Sequence, residues 1–322
     1  MRSIPALILF PILGLALGCQ SPRDESKVTN IVEVGAAEER PEFTSDENAK
    51  LVKNTEDSVK RYEELRIQGL TRAMTALRGS IATSVDQDFE IFRDMALEGE
   101  LNLHRNMALK CLGFADERKA DSREALILIA SNPKEQIFLR ANAMRGLGIL
   151  RDPETPLEPV VAMLGAGNPS MRTEAAETFK ELALVKPTPR KLTPQYITAM
   201  ERLATMLYDE NNRPGRRASV WALANLRHPD TLEHLLAALD DQDEQVQIGA
   251  LRGLELLGDQ RALEPLLAYL DDGPPEGPKS WCIKSLKVIA VQGGFAKDRS
   301  ELIPLGDNVR KWEEFFRKAR MK

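Results

Sequence analysis

Six times along this chain of 322 residues, a basic or amide side chain is followed at the same steps by two small residues and two larger, mostly apolar ones. Arg105 leads Ala108, Cys111, Leu112 and Ala115, and Arg140 leads Ala143, Gly146, Leu147 and Leu150. Arg172, Arg216, Gln247 and Lys279 open the other four copies. The first small residues, at 108, 143, 175, 219, 250 and 282, are separated by intervals of 35, 32, 44, 31 and 32. A nearly constant period with one insertion is the signature of a repeat array, whose units bury their apolar faces against their neighbours.

Within each copy, steps of three and four gather the small and apolar positions on one helical face. Small side chains there let two backbones approach closely, and Leu, Phe or Ile beside them fill the remaining space. A preceding helix is marked by Leu157, Val160, Val161 and Leu164, by Leu232, Leu235, Leu236 and Leu239, and by Leu263, Leu266, Leu267 and Leu270. Turn-forming stretches at 165–170 and 240–243 separate the paired helices. Each unit therefore reads as a helix–turn–helix that must stack to bury its apolar stripe, which makes the chain an all-α solenoid.

Residues 230–241 and 263–272 resemble the first helix of bacterial HEAT repeats of the short, PBS-lyase-like kind. Residues 140–152 and 246–259 resemble the second helix and its terminal turn, and Pro159 and Pro265 stand where that family often carries a kinking proline. The resemblance implies a right-handed α-solenoid of about six HEAT-like helix pairs over 86–291, with capping helices at 50–85 and a linker and capping helix at 292–322. It also implies structural roles, capping helices or bridging units, for Arg105, Arg140, Arg172, Arg216 and Lys279 and for Asp116, Asp152, Asp230 and Asp259, with Gln247 departing from the pattern. Proline-rich stretches at 183–195 and 271–278 interrupt the array, as ornament or as added binding surface. In the last segment Asp307 or Asn308 is placed to cap a helix carrying Val309, Trp312, Phe315, Phe316 and Ala319 on one face. That helix closes the stack; Glu313 and Glu314 argue against the alternative of a peripheral membrane helix.

The front of the chain is different in kind. Residues 4–18 lack charge and follow the single basic Arg2, and fifteen helical residues fall short of a bilayer core, so 1–18 reads as a cleaved export signal. Leu15-Ala16-Leu17-Gly18-Cys19 resembles the lipobox of bacterial lipoproteins, which implies a lipid-modified Cys19 and membrane attachment through acyl chains. Gln20 rather than Asp follows, which points to the outer membrane of the cell envelope and a periplasm-facing body. Residues 19–49, rich in Ser, Pro, Asp and Glu, read as a flexible acidic tether.

Chemistry is sparse. With 44 Lys and Arg against 49 Asp and Glu, the chain lacks the basic excess of a non-specific nucleic-acid binder. Three cysteines and three histidines, at no metal-ligand spacing, point to no metal and no cofactor, and no nucleophile-elbow or phosphate-loop motif occurs. The expectation is a chain that is not an enzyme. Binding has a better candidate. Two residues after each small anchor stand Lys110, Arg145, Glu177, Trp221, Arg252 and Lys284. If second helices line a concave face, as HEAT arrays imply, these form a mainly basic ladder, with Lys110, Arg145, Trp221, Arg252 and Lys284 as groove-binding residues for an acidic peptide segment or envelope protein. The alternative for the ladder is ordinary solvent-facing residues, with Trp221 packed on the next unit. For the whole chain the readings are a binding scaffold, a structural spacer or self-assembling subunit, and an enzyme resembling HEAT-like lyases.

Overall fold

The second helices of the repeats begin and end where a backbone group is met. Asn168 accepts the N–H groups of Ser170 and Met171 at 2.9 and 3.2 Å, Asn212 that of Gly215 at 3.1 Å, and Asp243 that of Gln245 at 2.9 Å. At the other end, Arg151, Arg227 and Gly258 adopt left-handed backbone, with φ of 48°, 49° and 65°. Asn212 and Asp243 open α10 (Arg213–Leu226) and α12 (Glu244–Leu257), Asn168 opens α8 (Pro169–Val185), and the left-handed residues end α6 (Ile137–Leu150), α10 and α12, which are 14 residues long each.

The computed structural model describes residues 45–68, 70–209 and 211–320, and no β-strand occurs among them. The export signal, Cys19 and the tether as far as residue 44 lie outside the described residues. The chain divides into two compact units, Met1–Ala125 and Leu126–Lys322.

In the first unit, α1 (Ser45–Ile67) and α2 (Thr71–Gln87) form an antecedent pair, followed by α3 (Phe89–Glu98) and α4 (Asn102–Leu112). α1 opens inside the stretch read as tether and packs on α2 and α4, while α3 packs on α4. Leu65, Ile81, Val85, Phe89, Phe92, Leu109 and Phe114 are buried here, and Tyr62 meets Phe114 edge-on at 5.1 Å. The carboxylate of Asp86, at the end of α2, accepts the successive N–H groups of Asp116, Glu117 and Arg118 at 3.0–3.2 Å, fixing the turn that follows α4.

The second unit takes in the end of α5 (Lys119–Ser131), α6, α7 (Leu157–Leu164), α8, α9 (Pro194–Leu207), α10, α11 (Leu232–Ala237), α12, α13 (Leu263–Asp271), α14 (Glu276–Gln292) and α15 (Val309–Arg320). Side by side in chain order, α6, α8, α10, α12 and α14 form one layer, and α7, α9, α11 and α13 each pack on the second helix of their own repeat. Short 3-10 turns at Pro229–Thr231 and Gln260–Ala262 lead into α11 and α13. The structure is an all-α solenoid with the second helices where the sequence pattern places them.

Both proline-rich stretches are shorter outside helix than their sequence reads, because Pro194 opens α9 and Pro278 lies in the first turn of α14, where a missing N–H costs nothing. The first leaves 186–193 without helix, tied down by Lys186 Nζ, which donates to the carbonyls of Pro153 and Thr155 at 2.6 and 3.4 Å. His228 holds its far side: Nδ1 accepts the N–H of Asp230 at 3.3 Å, so Nε2 carries the proton it donates to Arg190 O at 3.2 Å. The second is the short connection 272–275, with Gly273 at φ 70°. At the end of the unit, Asn308 caps α15 by accepting the N–H of Lys311 at 3.0 Å. Trp312 is fully buried, stacks on Phe316 at 5.7 Å and donates its indole N–H to Gly306 O at 3.0 Å.

Candidate functional site

The recurrent basic column is occupied with its own backbone. Arg105 Nε donates to Ala96 O and Arg140 Nε to Ala130 O, both at 3.0 Å, in the last turn of the first helix of the same repeat. Arg172 donates to the carbonyls of Ala166 and Gly167 beyond α7 at 3.0 and 3.1 Å, and Arg216 to Asp209 O beyond α9 at 3.3 Å. Gln247 serves the same end with an amide, donating to Asp241 O at 2.8 Å while its oxygen accepts from the Tyr269 hydroxyl at 2.8 Å. A donor at this position meets carbonyls that a helix C-terminus leaves open, and a positive one also suits the dipole. Lys279 instead pairs with Glu276 at 2.7 Å, one turn away.

Three of the ladder residues, Arg145, Trp221 and Arg252, follow a second rule. Two positions after a small anchor, the side chain leans onto the residue one position before the anchor of the next second helix. Arg145 on α6 pairs with Glu174 on α8, Trp221 on α10 lies over Gly249 on α12, and Arg252 on α12 sits 5.9 Å from the Trp281 ring on α14. A Cβ at Gly249 would stand 3.4 Å from Trp221 Nε1 and 2.5 Å from Val220 Cγ1, so α10 and α12 approach this closely because residue 249 has no side chain. Hydroxyls three positions after an anchor cross the same interfaces: Thr178 donates to Met144 O at 2.7 Å and Ser285 to Leu251 O at 2.9 Å. In the first unit Lys110 reaches the buried carboxylate of Glu56 on α1 at 2.8 Å, and Lys60 shares that carboxylate.

Charge and aromatic surface concentrate at the α12–α14 step. Glu255, whose side chain is 7 % exposed, accepts from Arg252 Nη1 at 2.6 Å and lies 3.6 Å from Lys284 Nζ. Lys284 Nζ is 4.0 Å from the centre of the Trp281 ring, a cation–π contact. Trp281 and Glu255 were not read from the sequence. The signal existed in the column one position before each anchor, where Glu174, Gly249 and Trp281 stand opposite the ladder.

A neighbouring cluster has a structural role. Asp243, nearly buried at the start of α12, meets Arg217 through both oxygens at 2.8 and 3.0 Å and also Arg213, while Arg216 grips Asp241. Burial works against the Asp243 charge, yet hydrogen bonds from Arg217, Arg213 and the Gln245 N–H outweigh it and hold the carboxyl well below the usual carboxylate range.

Among the described residues the two thiols, Cys111 and Cys282, are poor nucleophiles. Burial pushes Cys111 well above the ordinary value and Cys282 to about 12, so both are protonated at neutral pH, and Cys282 donates to Leu266 O at 3.3 Å. Among the described residues no group of three or more His, Cys, Asp or Glu side chains is arranged to hold a metal ion. No helix among them is long and apolar enough to cross a membrane.

Residues 200–287 match the family of HEAT repeats, across α9–α14. No curated protein matches the sequence. Among solved structures, an engineered protein is similar over 85 % of this chain and 81 % of its own, with 16 % identity and a TM-score of 0.53. A second engineered protein covers 63 % of this chain and 98 % of its own at 17 % identity and a TM-score of 0.50. An archaeal HEAT-like repeats protein from Thermococcus onnurineus covers 78 % and 98 % at 16 % identity and a TM-score of 0.46.

Proposed function

We propose that this chain is a protein-binding scaffold without catalysis, held in a bacterial cell envelope by acyl chains on Cys19 and facing the periplasm from the outer membrane. The observation that carries the binding half of this reading is the row of Trp221, Arg252, Trp281 and Lys284 across α10, α12 and α14, in which two Trp and one Arg are of the kinds that dominate protein interfaces and Lys284 adds a second cation. A repeat solenoid of HEAT-like units, the kind of framework that typically presents such rows to protein segments, supports it. The anchoring half rests on the lipobox-like run Leu15–Cys19 and on Gln20 after it. In this reading membrane attachment depends on Cys19, since several acyl chains give stable anchoring.

In-cell crosslinking of the C-terminally tagged full chain, with mass spectrometry of the membrane fraction, tests both halves. The expected result is one stoichiometric envelope partner, lost when Trp221, Arg252 and Lys284 are replaced by Ala in a chain that also carries Glu255→Gln, and a Cys19→Ala chain that leaves the membrane fraction. Recovery of the chain crosslinked only to itself would replace the scaffold by a self-assembling spacer. A chain with Cys19→Ala that stays in the membrane fraction would remove the lipid anchor.

A further inference from the structure

The cations along the ladder are not equally placed. Lys110 and Lys60 face Glu56 and Asp57, two against two, and Arg145 faces Glu174. At the α12–α14 step Arg252 and Lys284 share Glu255 alone, so this step carries a surplus of one positive charge. The shared carboxylate is buried, whereas the Arg252 and Lys284 side chains are 32 % and 44 % exposed, so both cations remain within reach of solvent. Glu255 thus orients the two cations from below without using up their capacity. Beside them stand the partly exposed rings of Trp281 and, one repeat earlier, Trp221, which offer apolar surface on either side of Arg252.

Resting on the scaffold reading above, we infer that this step is a receptor for a single carboxylate: one Asp or Glu side chain of an extended partner segment bridges Arg252 and Lys284, and its apolar neighbours lie on Trp281 and Trp221. One negative charge neutralises the surplus of one. A doubly charged phosphate would overfill it, and a run of acidic residues would meet no further surplus at the Arg145–Glu174 pair. The selected partner is therefore an apolar segment with one acidic residue, not a polyacidic one.

Glu255 gives the test its sign. As an internal carboxylate it competes with the incoming one, so Glu255→Gln frees both cations and tightens binding. Arg252→Gln and Lys284→Gln made together with Glu255→Gln remove the charges and leave no unpaired buried carboxylate, so the fold is kept. The probe is a displayed library of short random peptides selected on the detergent-purified full chain. Enriched peptides should carry one Asp or Glu beside apolar residues and lose about tenfold in affinity when that residue becomes Asn or Gln. Glu255→Gln should tighten them about threefold, and the triple variant, with helical circular dichroism unchanged, should weaken them about tenfold. Enrichment of peptides without an acidic residue, binding indifferent to the triple variant, weaker binding by Glu255→Gln, or no enrichment at all would each overturn the receptor. A crosslinked envelope partner that the triple variant still captures would overturn it too and leave the scaffold standing; loss of every partner from the unaltered chain would count against the scaffold itself.

Discussion

Arg227 closes α10 in the left-handed region, at φ 49°, where an L side chain is crowded by its own carbonyl. The same column places Gly258 after α12, where the conformation costs little. Relieving the crowding gains about 1–2 kcal/mol, and the freer unfolded chain of glycine gives back about 0.5–1 kcal/mol. Arg227→Gly should therefore stabilise the chain by about 0.5–1 kcal/mol, read as a higher urea midpoint at unchanged slope. Arg151→Gly should gain less, because Arg151 also pairs with Glu181 across α8 and an exposed pair is worth about 0.2–1 kcal/mol. If Arg227→Gly lowers the midpoint, the guanidinium has a role that outweighs its backbone strain.

The junction of α10 with α12 is held by opposite charges as well as by close backbones. Asp243 ends one helix entry and receives Arg213 and Arg217 from the other, and its carboxyl titrates far below the usual range. A depressed folded value means that this stabilisation is full above the unfolded value near 3.9 and fades as the pH falls through and below it. Asp243→Asn keeps an acceptor for the Gln245 N–H and removes only the charge. It should cost about 1–3 kcal/mol at neutral pH, with the gap to the unaltered chain narrowing steadily as the pH falls from about 4 to about 2. Denaturant titrations of both chains across that range decide the point, and a gap that does not change with pH would assign Asp243 to capping alone.

Much of this element-level order was legible. The small-residue column located all six second helices because that spacing is forced by close packing between repeats, and Leu-rich pairs located α7, α11 and α13. The helix read over 232–239 ends as α11 at Ala237, with a 3-10 turn over Ala238–Asp240 that leads to Asp241, the acceptor of Arg216. Helices α3, α5 and α9 do not show the Leu pattern of the other first helices: α3 buries Phe89, Phe92 and Ala96, α5 buries Ala125, Leu126, Ile129 and Ala130, and α9 mixes Tyr196 and Met206 with Leu203 and Leu207. The candidate site was half legible: the ladder is visible as a single column, but what each member touches depends on a column in the next repeat. Only stacking brings Arg252 to Trp281 and Lys284 to Glu255.

At the scale of the molecule, a stack whose members touch only neighbours loses cooperativity from its ends. In the second unit the end is α15, which packs on α13 and carries the fully buried Trp312 and nearly buried Phe316. Trp312→Ala should cost about 3–5 kcal/mol locally, with the loss felt first by the adjoining repeat. The chain's three tryptophans make this measurable, because Trp281 reports on α14 and Trp221 on α10, two second helices further in. In chains that keep one or the other of these indoles, urea unfolding followed by emission should give the same midpoint while Trp312 is present. With Trp312→Ala, Trp281 should lose its native emission at a lower urea concentration than Trp221. Coincident midpoints in both backgrounds would show that the repeats from α10 to α15 unfold as one block, and that α15 stabilises the whole block and not its last repeat alone.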